Sequence, residues 1–324
     1  MEPDPTPEDL ERLILGGEPV YDGLQIAARA GASFEEARRL WRALGFPEFD
    51  PGQVAFTEGD AGALSIFQKA VEDGILDNDT AVNMTRAVGQ TMARLADWEV
   101  ATLIPLLEGL GPEESGSRLA GAMRLLDELG KPFEELLVYA WRRHLAAAVA
   151  RVEALAATAE DVNTSDLTVG FADLVAFTAL SNEIGEVRVG DLVEVFESRC
   201  QDVVSAHRGR VIKSLGDSVL FVVDDAVRAL DIAEGIISVI GRDSRMPDVH
   251  IGLASGSVVM RLGDVFGPPV NMAARLTAVA RRNRVIIDEN TATLLPDEGY
   301  EVRRLPARPV RGFGLVEPIA VRRT

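Results

Sequence analysis

Apolar residues follow two different rhythms along this chain. From Thr6 to about Gly130 they recur mostly at helical spacing, as in FEEARRLWRALGF and AVNMTRAVGQTMARLADWEVATLIPLLEGL, with Gly and Pro punctuating the runs. That rhythm predicts an all-helical domain over residues 1–130. Pro132 then opens PFEELLVYAWRRHLAAAVARVEALAATAED, rich in Ala and Leu and free of any further Gly or Pro. Such a stretch predicts one continuous connecting helix within residues 131–162, stiff enough to carry a rotation or a shift.

Beyond Asp161 the rhythm shortens. Strand-like runs (LTVGFADLV, GRVIKS, SVLFVV, HIGLASGSVVM) alternate with amphipathic helical ones (VGDLVEVFESRCQDVVSAHR, AVRALDIAEGIISVI). This predicts an α+β domain over residues 163–324, a mixed, largely antiparallel sheet with helices on one side. Inside it, VIKSLGDSVLFVV reads as a hairpin whose turn is SLGD, with Gly216 free to take a backbone conformation closed to other residues. The hairpin is apolar except at its tip, where Lys213 and Asp217 stand four residues apart.

Charge narrows the possible partners. Fifty-one acidic against thirty-three basic residues leave a formal charge of −18 over 324 residues, which repels nucleic acid and anionic membrane alike. Residues 1–150 hold 26 acids and 13 bases and residues 151–324 hold 25 and 20, so the excess lies in the helical half. A polyanionic ligand must therefore be met by metal or by a few placed cations. Cys200 is the single cysteine, so no internal disulfide forms and a reducing cytoplasm fits. The N-terminal MEPDPTPEDLERL is acidic where a secretory signal is basic and then apolar, and no apolar run approaches the roughly 18 residues of a spanning helix.

Two constellations carry candidate chemistry. Asp173 ends the apolar run of FADLVAFTAL just before a helical stretch, and Asp217 sits at the hairpin tip. Brought together, two carboxylates form a hard oxygen site for Mg²⁺ or Mn²⁺, with positions left for phosphate oxygens. Taken singly, Asp173 reads first as a helix cap and Asp217 as a turn residue. Further on, GDVFGPPVNMAARL leads from Asp264 through a Gly-Pro-Pro turn into a helix bearing Asn271 and, one turn later, Arg275. An amide and a guanidinium so spaced can clamp a sugar and a phosphate; as an ordinary helix start they are a cap and a surface cation.

In this order and spacing, FADLVAFT, VIKSLGDSVL and DVFGPPVNMAAR resemble the catalytic core of class III nucleotidyl cyclases, over about residues 163–324. The resemblance implies a ferredoxin-like cyclase fold and an adenylate cyclase reaction, ATP giving 3′,5′-cyclic AMP and pyrophosphate. Residue by residue it implies that Asp173 and Asp217 bind two metal ions, Mg²⁺ or Mn²⁺, that Lys213 and Asp264 select adenine, and that Asn271 and Arg275 serve the transition state. Arg311, in PVRGFGLVEPIAV, matches more loosely the basic residue that reaches the terminal phosphates. The family's aspartates come from one catalytic domain and its other contacts from the mate, so a homodimer with interfacial sites is implied. One departure is GLASGSVVMRLGD, a short loop with Ser257 where the family usually carries Glu.

Within the helical half, YDGLQIAARAGASFEEARRLWRALGFP (residues 21–47) has the shape of a helix-turn-helix, in which Arg38, Arg39 and Arg42 would face DNA. The acidic balance of this half argues for packing or dimerisation instead. The whole layout resembles actinobacterial soluble class III cyclases with an all-helical N-terminal regulatory domain, some of which respond to pH or bind fatty acid. By that resemblance residues 1–130 restrain the catalytic dimer. His144, beside Arg142 and Arg143 in the connecting helix, reads first as a solvated surface histidine and only second as a candidate acid switch. The competing reading is a non-catalytic nucleotide-binding or helix-turn-helix regulator that keeps the cyclase fold as a dimerisation scaffold. It predicts at least one degraded position among the six, and none is degraded.

Overall fold

A computed structural model describes residues 4–109, 117–156, 164–261 and 263–324. The chain divides into two compact units, Met1–Ala147 and Ala148–Thr324.

In the first unit, capping residues set where helices begin. Thr6, Asp22 and Ser33 each accept from an amide in the first turn of α1 (Pro7–Leu15), α2 (Gly23–Arg29) and α3 (Phe34–Leu44), and Asp9, Gln25 and Glu36 reach back to complete capping boxes. Two short strands, β1 (Tyr21–Asp22) and β2 (Val54–Phe56), pair antiparallel, a small exception to the all-helical expectation. Trp41 stacks on Phe56 with ring centroids 4.3 Å apart, and Ile26, Ala37 and Leu64 complete a core with them. Helices α4 (Glu58–Glu72) and α5 (Asn78–Gly109) follow.

The connecting helix α6 runs Arg118–Ala156 and begins before the predicted start, with Pro132 inside it. Proline withholds one amide from the ladder, but the Leu-, Ala-, Glu- and Arg-rich sequence on both sides carries the helix through. Residues 157–161, the end of the predicted stretch, lie outside the described residues.

The second unit is built on an eight-stranded sheet. Its strands are β3 (Thr164–Leu174), β4 (Arg210–Ser214), β5 (Ser218–Val223), β6 (Val249–Arg261), β7 (Asp264–Phe266), β8 (Arg284–Ile287), β9 (Tyr300–Arg304) and β12 (Ile319–Arg323). The order is β4-β5-β3-β6-β8-β12-β9, with β7 added on β6. Every pairing is antiparallel except β6 with β8. Strands β10 (Arg308–Val310) and β11 (Gly314–Val316) form a separate hairpin.

Alternation along the strands gives the sheet two apolar faces. Ala172, Leu174, Val219, Phe221, Ile251 and Leu253 line one, packed against α8 (Glu186–Ala206), which follows the short α7 (Phe177–Ile184), and against α9 (Ala226–Gly241). Val169, Leu220, Val222 and Ala254 line the other, where Ala273 of α10 (Pro268–Val279) joins them. The expectation of helices on one side is therefore corrected: α10 covers the opposite face. Its approach depends on Gly252, where a Cβ would run into the main chain of Ala273 and Thr277.

Candidate active site

Asp173 lies on the sheet face that carries α10, one residue from the end of β3. Its cross-strand neighbours are Ser218 on β5 and His250 on β6. Ser218 Oγ donates to Asp173 Oδ1, and His250 Nε2 stands 3.3 Å from Oδ2. The β4–β5 turn, with Gly216 at φ 72°, brings Asp217 beside them, and the Leu174 amide donates to the Asp217 carbonyl at 2.9 Å. Burial pushes the Asp217 carboxyl above its ordinary range, and the negative charge of Asp173 adds to the push. The two carboxylates thus share one neighbourhood and repel each other.

Such a pair fits a divalent cation, which removes the repulsion and offers its remaining positions to other oxygens. Among the described residues no cluster of three or more His, Cys, Asp or Glu is placed to hold an ion.

Lys213 reaches the same face through an irregularity. Between Val211 and Lys213 the register with β5 slips, so that Lys213 lies opposite Leu220. Without the bulge it would lie opposite Val219 and point into the α8–α9 core; the extra residue turns it over. Its Nζ donates to Asp264 Oδ2 at 2.6 Å, and the Val265 amide donates to Oδ1 at 2.8 Å. Burial pushes the Asp264 carboxyl up, but Lys213 and the Val265 amide outweigh it and leave the group below its usual range. A donor and an acceptor thus stand side by side, both about one-third exposed.

Helix α10 starts at Pro268, where a missing amide costs nothing. Ala273, Leu276 and Thr277 are buried, whereas Asn271 and Arg275 are exposed. Arg311, in the turn between β10 and β11, is exposed as well. Within one chain, then, Asp173 gathers with Asp217, and Lys213 with Asp264, while Asn271, Arg275 and Arg311 face outward.

Comparison with known proteins bears on this arrangement. The family described as "Adenylate and Guanylate cyclase catalytic domain" matches residues 160–320. An adenylate cyclase of Streptomyces coelicolor is 40% identical over 97% of this chain and 89% of its own length. The chain belongs to this cyclase family. A second adenylate cyclase, from Streptomyces griseus, is 42% identical over 97% of this chain and 88% of its own. A pH-sensitive adenylate cyclase of Mycobacterium tuberculosis is 29% identical over 96% and 81%. Cyclase domains of this class use divalent metal ions, which the Asp173–Asp217 pair suits.

Two neighbours of Asp173 in the cyclase escaped sequence reading. Ser218 follows Asp217 directly, and its alternation onto the Asp173 face was readable; His250, 77 positions from Asp173, is placed there by strand register alone.

In the N-terminal unit the helix-turn-helix shape is real, with Gly31 at φ 76° between α2 and α3. Its arginines are all engaged, however: Arg38 with Glu35 at 2.9 Å, Arg39 with Asp79 at 2.8 Å, and Arg42 with Glu48. Trp41 and Leu40 of the same helix are core residues. His144 is exposed on α6, and no α-helix among the described residues is long and apolar enough to cross a membrane.

Proposed function

We propose that this protein is an adenylate cyclase that converts ATP to 3′,5′-cyclic AMP and pyrophosphate at two sites shared between the chains of a homodimer. The observation that carries the choice of ATP is the Lys213–Asp264 pair at 2.6 Å. Adenine shows an acceptor at N1 beside a donor at its 6-amino group, which a lysine donor and a carboxylate acceptor complement; guanine shows the reverse.

In the reaction, the ribose 3′-oxygen attacks the α-phosphorus and loses its proton, the bond from α-phosphorus to the β-bridging oxygen breaks, and pyrophosphate leaves. Asp173 and Asp217 hold the divalent ions, two Mg²⁺ or Mn²⁺ per site. When bound, these supply neutralising charge for the triphosphate and a lowered pKa for the 3′-hydroxyl. Lys213 and Asp264 hold the base, Asn271 orients the ribose, and Arg275 meets charge developing on the α-phosphate. Arg311 reaches the terminal phosphates. The outward exposure of Asn271 and Arg275 supports their use by a second copy, so that one hairpin tip serves two sites: Asp217 its own and Lys213 its mate's.

The test is production of cyclic nucleotide from MnATP and MnGTP. Wild type should prefer ATP, and Lys213→Glu with Asp264→Cys should lower the ATP-to-GTP ratio on the order of tenfold to a hundredfold. An unchanged ratio would remove the base-selecting role.

Residues 1–130 form the regulatory domain in this reading, α6 transmits its state to the catalytic domain at 163–324, and a proton or a fatty acid is the signal. A relative named as pH-sensitive over most of its length supports the first of these signals. Activity of the full chain and of residues 163–324 should diverge between about pH 5 and 8, the range in which a histidine changes charge; parallel profiles would contradict control by pH. A single cysteine and the ATP substrate both suit the cytoplasm.

A further inference from the structure

His250 is a half-hidden ring with both nitrogens turned to oxygen. Nε2 stands 3.3 Å from Asp173 Oδ2, and Nδ1 lies 3.2 Å from the carbonyl of Ala280. Ala280 is the C-cap of α10, where helix carbonyls lack an amide partner of their own. The same helix carries Asn271 and Arg275. The ring's neighbours along this face of β6 are Gly252 and Ala254, both small, and α10 lies directly over Gly252. Ser218 holds the other oxygen of Asp173. The carboxylate is therefore contacted at both oxygens by side chains from both flanking strands.

We propose that His250 is a positioning residue for Asp173. In the tautomer that carries its proton on Nε2, the ring faces Oδ2 while Ser218 holds Oδ1, so that the carboxylate plane is set before an ion arrives, and the Nδ1 side packs against the end of α10. The inference rests on the reading of Asp173 as a metal ligand. Groups that orient a ligating carboxylate typically change metal affinity or activity by about 10- to 100-fold when removed. A histidine that merely filled the space under α10 would affect melting and leave metal affinity alone.

Two substitutions separate the ring's two contacts. Glutamine places its amide nitrogen near the position of Nε2 and can still donate to Asp173, whereas asparagine reaches only as far as Nδ1 and keeps the Ala280 side. Mn²⁺ alone is titrated into the full chain without nucleotide, free Mn²⁺ is read by electron paramagnetic resonance, and Asp173→Ala is the reference. H250N should bind Mn²⁺ about tenfold or more weaker than wild type, H250Q within about threefold. The Mn²⁺ concentration for half-maximal cyclase activity should shift in parallel, with the lost activity of H250N returned by excess Mn²⁺. Wild-type Mn²⁺ affinity in H250N, or an equal loss in H250Q, overturns the role of His250 while Asp173→Ala still loses the ion. If Asp173→Ala itself binds Mn²⁺ as wild type does, the metal assignment fails and this role falls with it.

Discussion

Asp217 works against the fold that holds it. Its carboxyl is raised by burial and by Asp173, so ionising it costs more in the folded chain than in the unfolded one. The sign follows from linkage: a carboxyl with a raised folded pKa contributes fully below its unfolded pKa, and that contribution is lost as pH rises through the folded value. At neutral pH the metal-free protein therefore carries an ionised group it would be more stable without. Asp217→Asn should raise Tm in EDTA at neutral pH by about 1 to 3 °C, a gain that shrinks as pH falls through the carboxylate range, while cyclic AMP production disappears. A Tm at or below wild type would mean that Asp217 and Asp173 do not repel in solution. Such opposition between stability and site chemistry is expected where two like charges are held together.

At the scale of elements, the packing of α10 on β6 decides where Asn271 and Arg275 project. Gly252 is the contact point, and an added methyl meets main chain on the helix instead of a side chain that can yield. Gly252→Ala should cost about 1 to 3 kcal/mol and displace the helix. Since a misplacement near 1 Å can cost on the order of a hundredfold in rate, cyclase activity should fall far more than melting implies. Gly241→Ala, where nothing lies within 4 Å, is the control. Measured kcat and Tm that fall together to the same modest degree for both variants would deny Gly252 this part. Much of this architecture was legible beforehand: the strand and helix runs of residues 164–241, the β4–β5 hairpin and the motifs naming Asp173, Asp217, Lys213 and Asp264. What stayed hidden depends on pairing between distant strands. The bulge that turns Lys213 onto the α10 face leaves no mark in VIKSLGD, and the placement of α10 opposite α8 and α9 follows from a burial choice made by the folded sheet. Likewise, His250 has no local signal of its partner, because register sets the pair.

For the whole molecule, the division of labour between residues is the central matter. One chain gathers Asp173 with Asp217 and Lys213 with Asp264, yet turns Asn271 and Arg275 to the outside. In the proposed two-fold pairing, the exposed Asn271 and Arg275 of each copy complete the site of the other. The measurement that tests this most directly uses heterodimers of Asp173→Ala and Arg275→Ala chains, co-expressed with different tags and purified through both. Each such dimer holds one doubly damaged site and one intact site, so the account predicts about half the wild-type rate of cyclic AMP formation from MnATP. Asp173→Ala paired with Asp217→Ala should stay inactive, since both lesions fall on the metal half and neither site is intact. Heterodimers of Asp173→Ala with Arg275→Ala as inactive as either parent homodimer would contradict a site shared between two copies.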